Sequence, residues 1–537
     1  MFKNYQLSEK YFIPIEISIA LIFCVLPLFI TFPYKINLYL AWEGAYRMSL
    51  GQVPFRDFGM PLGYGYWLLP ALFFKIFGPF MSTLTLAQVC INLVSVFALH
   101  KIFQAFRVKG GIRVIGIFLF CLSYVFVNFW PWYNHTVFVY ELIGLAFLLH
   151  AILDKNHYSN LKLITGALFI FLSFFTKQDI GGLAFVFALS LLTIDAICDR
   201  SYKSLLIFTA SFLIIGALFI LPLTFYDFGY WFNYGQPPHG TRISILDLLG
   251  TIFSESALIM RFYIIAMIIY CVHQWHKNDK LIAWPKREIL FFFFTLGMVV
   301  QPLIAQQTTY IPENVHYYYH SFVVVFLLSQ LKLPVDRPII LGGLIICILL
   351  FWTQDYWRYA NRIMKRVFNV EQKLDYNYVS KHTWKLKDEN GPDTDRSDWV
   401  KTPFKSLDNV LMPKETVQGM QNLVNKYAYV ENLKVLNMSE LTQLAYEIGY
   451  IPEKGPKTAL WYHRNVAFFQ REVDATCDEI RAEAYDLVLF EVIPRINRFY
   501  PPDVRACLQE HYKLVKRFKA PRIPEDSFIE VYERPAK

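Results

Sequence analysis

Charge is scarce in this chain. Asp, Glu, Lys and Arg make up 18% of its 537 residues, against roughly 25% in a soluble domain, which argues against an ordinary soluble enzyme. No Gly-rich phosphate loop is present, so nucleotide binding is not supported. The net charge of +9 is not gathered into a basic face, so no nucleic-acid partner is expected. Cysteine is sparse, and its spacing matches no metal site. Six of the eight (Cys24, Cys90, Cys121, Cys198, Cys271, Cys347) sit in apolar runs, where Cys behaves as a small hydrophobe. Cys477 and Cys507 lie in a polar C-terminal part and can pair if that part is extracytoplasmic.

Apolar residues are abundant at 55%, and 18% are aromatic, with 49 Phe and 34 Tyr; this suits a lipid solvent with interfacial belts. Of the 52 Lys/Arg and 43 Asp/Glu, residues 354–537 hold 29 and 27, so residues 1–353 hold the other 23 and 16. A membrane domain (1–353) is followed by an irregular linker (354–412) and a soluble domain (413–537). Apolar runs predict eleven spans, near 12–32, 84–104, 113–130, 137–153, 161–176, 183–198, 204–225, 256–272, 289–304, 318–330 and 338–353, since about 20 apolar residues cross a bilayer. The first has no cleavage site and reads as an anchor. With the N-terminus cytoplasmic, the inside segments carry sixteen Lys/Arg and the outside loops six, as the positive-inside rule requires. The C-terminal domain then lies outside, periplasmic or extracellular, in a multi-pass protein of the cytoplasmic membrane. Pro61–Phe80 reads as a helix lying in the outer interface, with Tyr64, Tyr66 and Trp67 at headgroup depth.

The C-terminal part alternates β and α signals. Helices are predicted at Lys414–Tyr427, from a Ser439 cap through Tyr446, at Arg464–Glu483 and at Pro502–Arg517. Strands are predicted at Leu433–Asn437, Thr458–Tyr462, Tyr485–Val492 and Ser527–Tyr532.

The long outer loop 33–83 carries two acids, Glu43 and Asp57, with Arg47 and Arg56 close by. A carboxylate near the bilayer surface can deprotonate an acceptor hydroxyl, and an Arg can hold a phosphate in a fork; a solvated loop with incidental charges is the plainer reading. Its pattern of Glu43-Gly-x-Tyr, then Gly-x-x-Pro-Phe-Arg56-Asp57-Phe, then an apolar helix ending in Phe-Gly resembles the first external loop of GT-C glycosyltransferases. These are multispanning enzymes that use polyprenyl-phosphate sugars, among them bacterial relatives of protein O-mannosyltransferases and the lipid A aminoarabinose transferases. Phe174–Gly182 (FFTKQDIGG) is similar to a Ser/Thr-Lys turn at the outer end of a span in the same group.

The resemblance covers residues 10–350 in architecture. It implies an α-helical polytopic membrane protein of GT-C-like fold, here with a C-terminal extracytoplasmic α/β domain. It also implies transfer of a sugar, usually with inversion, from a polyprenyl phosphate to a glycan, glycolipid or protein acceptor during cell-envelope glycan biosynthesis. In many members an Asp-Glu pair after the first span carries the general base. Here those positions are Trp42 and Glu43, and Asp57 matches a second acid of the group, so Glu43 and Asp57 are both candidate bases. Lys177, Arg56 and Arg47 are candidates for the donor phosphate, where charge grows as it leaves.

Further outer residues are candidates for substrate contact: His135 in an aromatic loop, His239 in a Pro-Pro-His turn, His316 and His320 at one span end, and Glu141 about a turn below the surface, a costly place for a carboxylate. No motif demands a cofactor; a divalent metal is compatible with these residues. The competing reading is a transporter or flippase of lipid-linked saccharides, but no internal repeat is present, and the ionisable residues lie near span ends.

Overall fold

The computed structural model describes residues 6–34, 38–236, 246, 258–278, 284–308, 318–331, 333–350, 368, 399–494, 499–521 and 527–535. Where no water satisfies the backbone, only self-bonded elements are tolerated, and the described residues of the first 350 are accordingly mostly helical. The helices are α1 (Glu9–Cys24), α2 (Leu38–Ser49), α3 (Leu68–Phe77), α4 (Met81–Ala105), α5 (Gly110–Ser123), α6 (Tyr133–Leu153), α7 (Ser159–Thr176), α8 (Gln178–Asp199), α9 (Lys203–Ile220), α10 (Leu258–Asn278), α11 (Lys286–Thr308), α12 (Tyr319–Gln330) and α13 (Pro338–Leu350). Each of the eleven expected spans falls on one of these helices. Among the described residues seven are long and apolar enough to cross a membrane, and α5, α12 and α13 are shorter apolar helices. The chain is a multi-pass membrane protein.

Helix α3, at ten residues, is only about 15 Å long, half of a bilayer core. It buries Pro70, Ala71 and Phe74 and exposes Leu72, Ile76 and Phe77. Tyr66 and Trp67 do not present their rings to the lipid: both are 1% exposed. Trp67 lies across α2 where Gly44 has no side chain; a Cβ there would stand 2.0 Å from the indole. The indole N–H donates to the Leu40 carbonyl at 2.9 Å.

At the end of the bundle away from the C-terminal domain, ion pairs tie helices together, with Arg113, Glu16 and Asp195 buried. Arg113 on α5 bonds Glu16 (2.6 Å) and Glu9 (2.8 Å) on α1, and His100 on α4 shares Glu16. Lys286 on α11 reaches Asp195 and Asp199 on α8, and Arg287 reaches Asp154 beyond α6.

The C-terminal part is an α/β layer. Strands β4 (Val435–Met438), β5 (Leu487–Val492), β6 (Lys513–Lys519) and β7 (Phe528–Glu533) form one sheet in the order β4-β5-β7-β6, with β4 and β5 parallel and the other pairs antiparallel. Alternation along β5 sends Leu487 and Leu489 to one face and Val488 and Phe490 to the other. The second face carries α16 (Gln470–Arg481) and α17 (Pro502–His511), joined by a Cys477–Cys507 disulfide with Cα atoms 5.8 Å apart. The first face carries α14 (Lys414–Tyr427), with α15 (Leu444–Ile448) nearby.

Several sequence expectations here are corrected. Residues 513–519 are an edge strand, not a continuation of α17; its Lys513, Lys516 and Lys519 suit an exposed edge. The helix expected at Arg464–Glu483 begins only at Gln470, where Glu472 reaches back to the Phe469 N–H. Ser439 does not cap a helix; its hydroxyl accepts from the Leu441 N–H in a turn. Thr458–Tyr462 makes only an isolated bridge, Ala459 to Gly59.

The two parts are fused. Strand β1 (Phe32–Pro33) pairs in parallel with β3 (Val410–Pro413), which pairs with β2 (Trp399–Lys401). Residues 399–412, read as linker, thus carry strands bonded to the segment after α1. Leu38, Trp42, Trp67, Met412, Met420, Leu444, Leu487 and Ile529 belong to one core.

Two outcomes follow. Gly44→Ala drives a methyl into Trp67 and lowers stability by about 1–3 kcal/mol, read as an earlier thermal transition of the purified protein. Denatured, unreduced protein takes up six maleimide labels, on the six free cysteines, and eight after reduction; eight before reduction would refute the pairing.

Candidate active site

Residues Leu38 to Arg47 of α2 are all buried, so its charged side chains must be satisfied inside the protein. Glu43 and Arg47 are one turn apart, 7% and 4% exposed. Arg47 Nε and Nη2 both bond Glu43 Oε1, at 2.8 and 2.7 Å; no hydrogen bond among the described residues uses Oε2. Arg47 Nη1 donates to Gln52 Oε1 (3.1 Å) and to the backbone oxygen of Glu453 (2.5 Å). Around the pair, Asn437, Tyr450, Glu453 and Tyr462 from the C-terminal domain close a small polar pocket. Burial pushes the Glu43 carboxyl above the usual range, against the pull of Arg47.

Asp57 sits differently. It accepts from the Val53 N–H at 2.7 Å and pairs with Arg56, which is 44% exposed. The Arg56 hydrogen bond holds its carboxyl below the usual range. Phe55 before it has φ +67, a left-handed residue that turns the chain sharply. The turn is bonded on both sides: Phe55 O accepts from the Asp227 N–H at 3.1 Å, and Asp57 O from the Gly455 N–H at 2.8 Å.

Lys177 is the extended residue between α7 and α8, 4% exposed and 3.2 Å from Asp179. The loop 61–65 lies directly on this turn. A Cβ on Gly63 would stand 1.2 Å from Phe175 O and one on Gly65 2.3 Å from Thr176 Oγ1. Gln178 Nε2 donates to Pro61 O at 3.2 Å. The two sequence patterns thus meet where Gly63 and Gly65 allow close approach, with the Gln178–Pro61 hydrogen bond beside them.

The other candidates do not join them. His135 is buried at the start of α6 against Trp132 and Tyr124. Glu141 is buried in the bundle, where Gln301 Nε2 of α11 donates to it at 2.6 Å. His320 begins α12 beside the Tyr263 hydroxyl at 3.2 Å. His239 and His316 lie outside the described residues. Among the described residues no three His, Cys, Asp or Glu come together as a metal site.

Sequence reasoning missed the C-terminal contribution of Asn437, Tyr450, Glu453 and Tyr462. The only local signal for Glu453 is its Pro/Gly-rich segment, IPEKGP, which reads as a turn. A second seam was also missed: Arg471 on α16 pairs with Asp227 and stacks on Tyr234 at 4.2 Å, while Tyr230 OH donates to Glu472 at 2.7 Å. Below the loop, an apolar groove of about 710 Å³ runs between α4, α6 and α7, from Tyr66 and Leu69 to Lys101, His150 and Lys162.

A helical bundle with an acid-bearing loop clamped under an α/β domain defines the fold class as GT-C. The same architecture is found in ArnT from Cupriavidus metallidurans. Bound to undecaprenyl phosphate, that structure matches with a TM-score of 0.52 at 10% identity, covering 98% of this chain and 98% of that one. In the apo state it matches with a TM-score of 0.53 at 10% identity, over 97% and 98%. The likeness is one of fold. No protein-family model and no curated protein sequence matches the chain.

Arg47→Met strands Glu43 as a buried lone carboxylate and costs about 3–5 kcal/mol. Adding Glu43→Gln recovers part of that loss. A double-mutant cycle on thermal stability checks this, and additive losses would refute the coupling.

Proposed function

We propose that this chain is a membrane glycosyltransferase that moves a sugar from a polyprenyl-phosphate donor to a glycan, glycolipid or protein acceptor at the outer face of the cytoplasmic membrane. The observation that carries the reading is the buried Glu43–Arg47 pair under the C-terminal domain, in a chain with the fold of ArnT end to end. The ArnT structure holds undecaprenyl phosphate. An apolar groove here follows α6 from Thr136 to His150, about 20 Å at 1.5 Å per residue and longer than one leaflet of about 15 Å, which suits a long lipid chain. The disulfide in the C-terminal domain supports an extracytoplasmic position for it.

In this reading Glu43 is the base. Burial raises its proton affinity, and Arg47 fixes Oε1 while Oε2 takes the acceptor proton. Asp57, held ionised by Arg56, is the weaker base and orders the loop. The acceptor oxygen attacks the anomeric carbon, the C–O bond to the phosphate breaks, and the phosphate leaves with the electron pair from the opposite face. Lys177, in the turn between α7 and α8 beneath the loop, is the first candidate cation for that charge. Arg56 is the second candidate cation. Arg47 is engaged by Glu43 and acts through it.

The test is a transfer assay with radiolabelled polyprenyl-phosphate sugars and a membrane glycan extract. Glu43→Gln is expected to lower transfer by about 10²–10⁴-fold, the usual worth of a general base, and Asp57→Asn by less. Donor exchange across the membrane without transfer, or both variants matching wild type, would overturn the reading in favour of a transporter.

A further inference from the structure

One stretch of the C-terminal domain touches both acid-bearing pieces of the loop. The Pro452 carbonyl accepts from Gln52 Nε2 at 2.9 Å, and the Glu453 carbonyl from Arg47. The Gly455 N–H donates to Asp57 O, the Gly59 N–H to Thr458 O at 2.8 Å, and the Leu460 N–H to Gly59 O at 3.0 Å. Residues 452–460 therefore set where Glu43 and Asp57 stand.

The side chain of Glu453 points to a second arrangement. Tyr485 OH lies 2.9 Å from Glu453 Oε1 and is also hydrogen-bonded to Glu479 Oε2 on α16. A phenol carries one proton. It can donate to one of these carboxyls; the other must then present a proton of its own to the phenol oxygen. With both carboxyls ionised, one oxygen would face a lone pair at hydrogen-bond distance, and the contact would open.

We infer that Glu453, Tyr485 and Glu479 form a proton-holding triad that positions the Glu43–Arg47 pair, so that the site keeps its working geometry only while the triad carries its extra proton. The inference rests on the transferase reading above and gives that site a pH control. The path is short: when Glu453 separates from Tyr485, its backbone oxygen shifts, Arg47 follows, and Glu43 Oε1 loses its fixed place.

The groups facing Glu453 are Tyr485, Glu479, Arg47, Glu43, Tyr462, Tyr450 and its neighbour Lys454. Burial and the Glu479 charge push Glu453 up to about 7. The folded state thus binds a proton that the unfolded chain releases in the ordinary carboxylate range. Its stabilisation is full below that range and is lost as pH rises through about 7. Glu453 acts here as a positioning residue.

The experiment uses the full chain in nanodiscs and measures thermal midpoint and transfer rate for wild type, Glu453→Gln and Glu479→Gln between about pH 5.5 and 8.5. In wild type the midpoint and the rate are expected to fall together as pH rises through about 7. In either variant the fall with rising pH is lost from both profiles, because a neutral amide replaces one partner of the shared proton, while any rise in rate as Glu43 deprotonates is kept. If one variant fails to fold, the other reads the same device. Midpoint profiles that superimpose, or a falling rate limb that persists in the variants, overturn the triad. A wild type that shows the midpoint shift but transfers no sugar refutes the transferase reading and leaves the triad standing.

Discussion

Helix α2 is sunk between the end of the membrane bundle and the C-terminal sheet, and the rest of the site depends on that burial. A buried guanidinium costs several kcal/mol unless its donors are used. Arg47 uses them on Glu43, on Gln52 and on the Glu453 carbonyl. The acid is therefore positioned by contacts from a domain that begins some 350 residues later. Removing water from around α2 also raises the affinity of Glu43 for a proton while its salt bridge keeps it in place. Asp57 has similar neighbours in sequence but lies at a turn, where Arg56 and the Val53 N–H stabilise its charge. Two carboxylates fourteen residues apart thus acquire opposite tendencies from their environments.

Close backbone approach makes this geometry attainable. Gly44 admits the Trp67 indole, and Gly63 and Gly65 let the loop rest on the Lys177 turn. A methyl at Gly63 or Gly65 would hold the loop away from the bundle, and one at Gly44 would push Trp67 off α2. The aromatic residues that composition assigns to an interfacial belt serve here as interior packing: Trp42 tilts against Tyr46 at 4.7 Å, and Tyr64 meets Phe175 edge-on at 4.7 Å. Exposed aromatics remain at Phe77, the last residue of α3, and at Phe225, in the turn that follows α9.

The two ends of the bundle use charge differently. Away from the C-terminal domain, Arg113, Lys286 and Arg287 are spent on acids of neighbouring helices. Those Lys and Arg residues brace the bundle. At the domain end, charges cross between parts of the chain: Arg47 to Glu453, Arg471 to Asp227, and the Ser82 N–H to Asp408. The braced end suits a rigid base, and the crossing end couples loop and domain.

Much was legible without coordinates. Apolar length marks the spans, because a helix in lipid must carry its own hydrogen bonds and cover itself with apolar side chains. The short apolar run within Tyr485–Val492 marks a buried strand, and the Glu43–Asp57 and Thr176–Lys177 patterns carry the family resemblance. These are local properties, written in neighbouring residues. The edge strand 513–519 was not legible, since its lysines give no buried face to read. The pairing of Phe32 with Val410 and the meeting of Arg47 with Glu453, 406 positions apart, were not legible either. Contacts of that separation follow from how the chain returns on itself, and no local period encodes them. By itself the sequence determined a multispanning membrane protein with an acid-bearing loop and an α/β tail. Only the tertiary structure decided which acid is buried and that the tail holds it, because burial and long-range hydrogen bonding exist only once the two halves have packed.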